Sequence, residues 1–240
     1  WARLKHLDPS TGSLGKQNDA LAMSARLLDG SVPILQTVFS PLTTALKLAG
    51  ETLWQHLRDA PDAVLAGLET IASVTLAFGR QALAAGASGF FFADQTSNTS
   101  LLGETDFERF SAGFDIALLQ DLAPRSRFTV MHLHGNDVRF ESIVRRYECN
   151  MISWHDRHTF PSIAQARTLT DKVLVGGLQW DEALAANHID HLRATVADAR
   201  QQSGDRRWIL APGCVCPLNL TDEQVRHIVN KAREPRPHFA

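Results

Sequence analysis

"FTVMHLHGND", residues 128–137, is the stretch on which the fold turns. A run of β-branched, aromatic and apolar residues, too short for a helix, ends on two histidines one residue apart and breaks at Gly135-Asn136-Asp137. Continuous apolarity over that length marks a strand covered on both faces, because a sheet with one wet face alternates instead. Further runs share the form: "VPILQTVF" (32–39), "GFFFAD" (89–94), "MISWHD" (151–156), "KVLVGGL" (172–178) and "WILAPGC" (208–214). Most close on polar or turn residues, as strands do where they leave a sheet.

Helical periods lie between these runs. Residues 61–85 open on Pro61, carry Val64, Leu68, Ile71, Leu76 and Leu83 at near-helical spacing, and stop at Gly86. Residues 105–119 place Phe107, Phe110, Phe114 and Leu118 at spacings of three and four. Residues 181–202 read as another long helix, and "QNDALAMSARLLDG" as a helix in an otherwise loop-like start. Thr221 with Gln224 three residues later forms a capping box ahead of "VRHIVNKARE". Alternating strand and helix predicts an α/β fold with a parallel sheet, either doubly wound or a (β/α)8 TIM-type barrel. No strand leads into a glycine-rich phosphate fingerprint. Polar residues instead cluster after the strands: Asp94-Gln95, His132 and His134, His155-Asp156-Arg157, and Cys214. In a barrel those ends face one mouth, which favours the barrel. Six strands are legible where a barrel needs eight, and the chain starts at Trp1. The expectation is one domain, residues 1–240, a barrel that lacks its first strands.

Composition narrows the function. With 24 Lys+Arg against 26 Asp+Glu in 240 residues and no basic run, nothing favours a nucleic acid or an acidic membrane surface. No uninterrupted apolar stretch approaches the roughly 20 residues of a membrane span, and the start lacks the order of a signal peptide. Cys149, Cys214 and Cys216 are odd in number, and the last two are too close to pair without strain. Reduced thiols in the cytoplasm are expected.

Side chains two apart on a strand share a face, so His132 and His134 present their imidazoles together, with Cβ atoms about 6–7 Å apart. Such nitrogens can converge on one ion at roughly 2.0–2.1 Å. Cys214, following the Pro212-Gly213 turn, supplies a soft third ligand that selects Zn²⁺ over Mg²⁺ or Ca²⁺ and leaves a position for substrate. Bland readings compete: the histidines as the polar end of a strand, Cys214 as a small core residue, and Asp94-Gln95 as a strand-end cap. For His155-Asp156-Arg157 the functional readings are a ligand, a carboxylate behind an imidazole, or an anion clamp, and the bland one is an exposed ion-paired turn.

Taken in order, "VPILQTVFSPLTTALKLAG", "ALAAGASGFFFADQ", "HLHGND", "ISWHDRHTFPSIAQAR", "VLVGGL" and "WILAPGCVCPLNLTDEQVRHIVNKARE" resemble the uroporphyrinogen decarboxylase superfamily. That superfamily includes zinc-dependent methylcobalamin:coenzyme M methyltransferases, and the resemblance runs from about residue 30 to 235. It implies a (β/α)8 barrel whose first strands precede the matched region. Methyltransferases of the family carry a His-x-Cys on one strand and a later Cys in a Pro-Gly-Cys turn. Here His132 matches the first ligand, His134 stands where the cysteine would be, and Cys214 matches the late cysteine. The decarboxylase branch has a Gly-His-Gly turn where this chain has Gly213-Cys214, and its arginine-rich motif and catalytic aspartate would lie before residue 1.

The resemblance therefore implies an enzyme that moves a methyl group between a corrinoid, carried on a partner protein, and a small thiol or related acceptor. Zn²⁺ would sit on His132, His134 and Cys214, with Asp94, His155 and Asp156 as candidate catalytic residues and Gln95 and Arg157 as substrate contacts. An imidazole in place of a thiolate leaves the site one charge more positive, which makes the metal a stronger Lewis acid and a bound thiolate less nucleophilic. Decarboxylation of a porphyrinogen in haem biosynthesis, metal-dependent hydrolysis, and a non-catalytic barrel subunit are the alternatives. Self-association into a homo-oligomer is also open.

Overall fold

The computed structural model describes residues 1–179, 189–216 and 218–234. The chain resolves into two compact units, Trp1–Met151 and Ile152–Ala240, although the sequence contains no linker between them. Of the expected helix over residues 181–202, residues 181–188 lie outside the described residues.

In the first unit, strands β1 (Leu35–Phe39), β2 (Gly89–Asp94) and β3 (Phe128–Leu133) lie side by side in chain order, all parallel. The pairing starts at Leu35↔Gly89↔Phe128 and ends at Asp94↔Leu133. Gly89 is required at the start, since a Cβ there would lie 1.7 Å from the Phe128 carbonyl oxygen. Phe90, Phe92, Val130 and Met131 are buried, as expected of strands covered on both faces.

Three of the expected strands end earlier than the sequence suggested. β3 stops at Leu133, so His134 stands just past it, although its N–H still donates to the Asp94 carbonyl at 2.9 Å. Gly135, at φ +104°, then turns the chain away. Of the expected strand 32–39 only Leu35–Phe39 is strand, because Pro33 has no N–H for a ladder.

Helix α1 (Gly12–Leu28) and helices α2 (Pro41–Ala49), α3 (Thr52–Asp59) and α4 (Pro61–Ala84) belong to this unit. Ser40 caps α2: its hydroxyl accepts from the Thr43 N–H at 3.2 Å, and Pro41 occupies the first turn, where a missing N–H is harmless. By length and composition α4 is apolar enough to cross a membrane, although its apolar run is not an uninterrupted one. Glu69, Thr70 and Ser73 are among the residues that break it. Here α4 packs on β1 and on α1, α2 and α3, burying Val64, Leu68, Ile71 and Phe78. Each such side chain contributes about 1.5–3 kcal/mol on burial.

The expected helix over residues 105–119 is α5 (Glu104–Phe107) and α6 (Gly113–Leu122), joined by one π turn at Glu108–Ala112. The extra residue in that turn buries Phe110, Ser111 and Ala112 in succession and brings Asp115 to the core face instead of Phe114. α7 (Phe140–Arg146) follows β3.

The second unit has β4 (Met151–Trp154), β5 (Val173–Leu178) and β6 (Trp208–Pro212) in that order, with β5 and β6 parallel from Leu174↔Trp208 to Leu178↔Pro212. α8 (Ile163–Leu169), α9 (Ile189–Ser203) and α10 (Asp222–Arg233) alternate with them. Both the expected capping box at Thr221/Gln224 and an unforeseen one at Ser162/Gln165 are present. The core of this unit gathers Leu178, Leu192, Val196 and Ile228, with Leu210 and Leu220 against them.

Candidate functional site

The candidate residues stand where strands end, and each unit holds its own set. In the first unit His132 is the fifth residue of β3, buried, and its ring stacks on Phe91 with centroids 5.1 Å apart. His134, half-buried, has its ring centroid 6.2 Å from that of His132. Burial lowers the His134 pKa, with the Lys47 charge adding to it, so this imidazole is neutral at pH 7 with a lone pair to offer.

Asp94 ends β2 and is fully buried. One carboxylate oxygen accepts from the Thr96 N–H at 2.7 Å and the Thr96 hydroxyl at 2.9 Å, which folds residues 94–98 into a tight turn. The other oxygen is buried without a hydrogen bond. Burial raises the Asp94 pKa against these bonds. The strand-end cap is thus a geometric fact for Asp94. Gln95 is held by its backbone, whose N–H donates to the Thr43 hydroxyl at 2.9 Å, and its side chain is half-buried.

Two residues that the sequence reading passed over stand near Asp94. Asp115 of α6 is fully buried and accepts from the Ser111 hydroxyl at 3.1 Å. Its pKa is raised well above the ordinary value, by burial first and by the Asp94 charge second. Tyr147, also buried, is raised by burial and then by the Asp115 and Asp94 charges. Two buried carboxyl groups that feel each other resist ionising together, so Asp115 keeps its proton to higher pH than an ordinary carboxyl group does. The signal for Asp115 was in the sequence: a lone acid in the apolar helical run "GFDIALL", four residues after Ser111.

In the second unit His155 and Asp156 follow β4 and are both buried. Their loop is pinned by Trp154, fully buried, whose indole N–H donates to the Pro161 carbonyl at 2.7 Å. Asp156 faces the double glycine of β5. One of its oxygens accepts from the Gly177 N–H at 3.1 Å, and a Cβ on Gly176 would lie 2.5 Å from that same oxygen. Gly177 itself sits at φ +111°. Burial outweighs that bond and the Arg157 charge, and the Asp156 pKa rises to about 6.

Arg157 is committed within the unit. Its Nε donates to the Gly177 carbonyl at 2.9 Å, another nitrogen pairs with Asp198 of α9, and a third donates to the Thr195 carbonyl at 3.3 Å. The guanidinium expected to clamp a substrate anion therefore holds β5 and α9 to the β4 loop. Cys214 follows β6 by two residues, half-buried, with its pKa raised by burial. It is a thiol until something displaces the proton.

The chemistry of the donors suits a borderline-soft divalent ion. Among the described residues the side chains of this kind at the strand ends are His132 and His134 in the first unit and His155 and Cys214 in the second. They are nitrogen and sulfur donors with no carboxylate, a set for zinc and not for magnesium or calcium.

A profile of the family described as uroporphyrinogen decarboxylase (URO-D) matches residues 1–235. Two relatives are methylcobamide:CoM methyltransferases MtbA. That of Methanosarcina mazei is 22% identical over 155 residues, 65% of this chain and 46% of the relative. That of Methanosarcina acetivorans is 22% identical over 220 residues, 88% of this chain and 61% of the relative. The chain thus spans about half to three-fifths of the length of these relatives. A solved methyltransferase from Methanosarcina mazei superposes with a TM-score of 0.77 at 20% identity, covering 93% of this chain and 65% of that one. At that identity the likeness speaks for the fold, an α/β arrangement of TIM-barrel type.

Proposed function

This chain belongs to the uroporphyrinogen decarboxylase family, and from that premise we propose that it is a methyltransferase-like enzyme. On this reading Zn²⁺ is held by His132, His134 and Cys214, and a methyl group passes between a corrinoid on a partner protein and a small thiol or related acceptor. The observation that carries the proposal is the pair of imidazoles at the end of β3, one buried on Phe91 and one kept neutral, in a chain whose curated relatives are methylcobamide:CoM methyltransferases. When bound, the ion would stabilise an acceptor thiol as its thiolate.

The protein's own residues do the remaining work. His134, uncharged at pH 7, is a competent ligand without first losing a proton. Cys214 must give up its proton to bind, which makes zinc uptake release acid and grow stronger as pH rises. Asp156, poised near pH 6 and oriented by the Gly177 N–H, can take the acceptor's proton, with His155 beside it in the chain. Asp94 and Gln95 contribute through the 94–98 turn. Work in the cytoplasm fits an odd count of three cysteines, which makes no disulfide framework.

The test is metal content after purification without chelator, followed by an assay of methylcobalamin with small thiols. One zinc per chain, lost in both Cys214→Ser and His134→Ala, is the expected result. Absence of zinc from the native protein at neutral pH would sink the proposal. Demethylation of methylcobalamin that needs the zinc-loaded form is expected next, and turnover of a porphyrinogen in its place would move the chain to the decarboxylase branch.

A further inference from the structure

The first unit contains a cavity remote in kind from the strand-end residues. It measures about 530 Å³, within the roughly 300–1,000 Å³ typical of small-molecule sites. Its floor is apolar, made by Val38 of β1 and by Ile71 and Phe78 of α4, all buried. Its rim is apolar too, and wet: Leu4 is 39% exposed, Leu7 60%, Phe39 36% and Leu48 64%. Four large apolar side chains left in water around one hollow make a patch that asks for an apolar occupant. Of the described residues that line it, Lys5 alone is charged, and none is a carboxylate. Lys47 adds a second ammonium nearby, 4.7 Å from the centre of the Phe39 ring.

We propose that this cavity binds a straight-chain aliphatic monocarboxylate, its chain on Val38, Ile71 and Phe78 and its head at Lys5. The aliphatic chain follows from the walls, which are mainly apolar; of the threonines among them, Thr70 and Thr75 donate their hydroxyls to the Ala66 and Ile71 carbonyls of α4 at 3.2 and 2.8 Å. The charge follows from Lys5, whose ammonium has no opposite charge among the lining residues. One exposed ion pair is worth at most about 1 kcal/mol, so most of the affinity comes from the buried chain and the head supplies a preference.

Titration calorimetry with hexanoate, octanoate and decanoate, and with octanol as the uncharged control, tests the proposal on the whole chain. Expected are one saturable site per chain, affinity rising up to about fourfold per added methylene, and octanoate binding about fivefold tighter than octanol. In Lys5→Glu the preference for octanoate should vanish with octanol binding unchanged, and in Leu48→Asp both should weaken. Both positions are exposed, and unchanged thermal melts would show that the fold is intact. Lack of saturable binding by decanoate would overturn the proposal. So would sedimentation showing a dimer that Leu48→Asp dissociates and decanoate leaves intact, since a second copy would then be the occupant.

Discussion

At the scale of single residues, His134 and Asp115 separate two kinds of prediction. His134 stands where relatives are expected to place a thiolate. His134→Cys should keep zinc and raise the rate of thiol methylation by methylcobalamin, because an added negative ligand leaves the bound thiolate more nucleophilic. An unchanged rate with zinc still bound would show that this position does not set the chemistry. Asp115 predicts a pH effect on stability. Its folded pKa lies above the ordinary 3.8, so between those values the native chain holds a proton that the unfolded chain has lost. Its contribution is full below pH 3.8 and is lost as pH rises toward the folded value, by at most about 1.4 kcal/mol per pH unit. Asp115→Asn should flatten that decline in denaturant melts at pH 5 and 7, and equal slopes in both proteins would contradict it. Of Asp115 only the lone acid in an apolar helical run was legible in the sequence, and the internal role of Arg157 was not. Arg157 looks like an anion clamp until folding brings Asp198, 41 residues away, against it.

At the scale of elements, legibility followed how local the cause is. The strands could be read because two-sided burial imposes continuous apolarity, and β2 has the limits expected of it, Gly89–Asp94. Ends elsewhere depend on the register with a neighbour, which no local pattern encodes, so His134, Asp156 and Cys214 lie just past strands that were expected to contain them. The glycines of β5 show the same dependence. Gly176 was only a small residue in an apolar run, yet its missing Cβ is what admits Asp156. Gly176→Ala should therefore cost about 1–3 kcal/mol in chemical denaturation. By contrast Gly113→Ala, in helix and with nothing within 4 Å of the added carbon, should stabilise by about 0.5–1 kcal/mol. A mild effect at Gly176 would mean that Asp156 can yield its place.

At the scale of the whole molecule, the α/β class and the barrel-type order were legible because the alternation of runs reports connectivity directly. The division at Met151/Ile152 was not, since it falls at the start of a strand and leaves no mark in composition. Charge is the other property of the whole. A net charge of −2 without a basic run predicts that the protein passes through a heparin column unretained even at low salt. Firm retention would reopen a polyanionic partner.

The π turn at Glu108–Ala112 has a further consequence. A helix carrying one residue more than its turns require has slack in it, and the flanks on either side are already in phase with the core. Removing the exposed Arg109 would let the turn close as ordinary α-helix while Phe107 and Asp115 keep their places. Removing a residue from α6 instead would rotate part of that helix by about 100° and drive apolar side chains into water. Length can therefore change at this one point without disturbing what lies beyond it, which marks where the chain can gain or lose a residue and still fold.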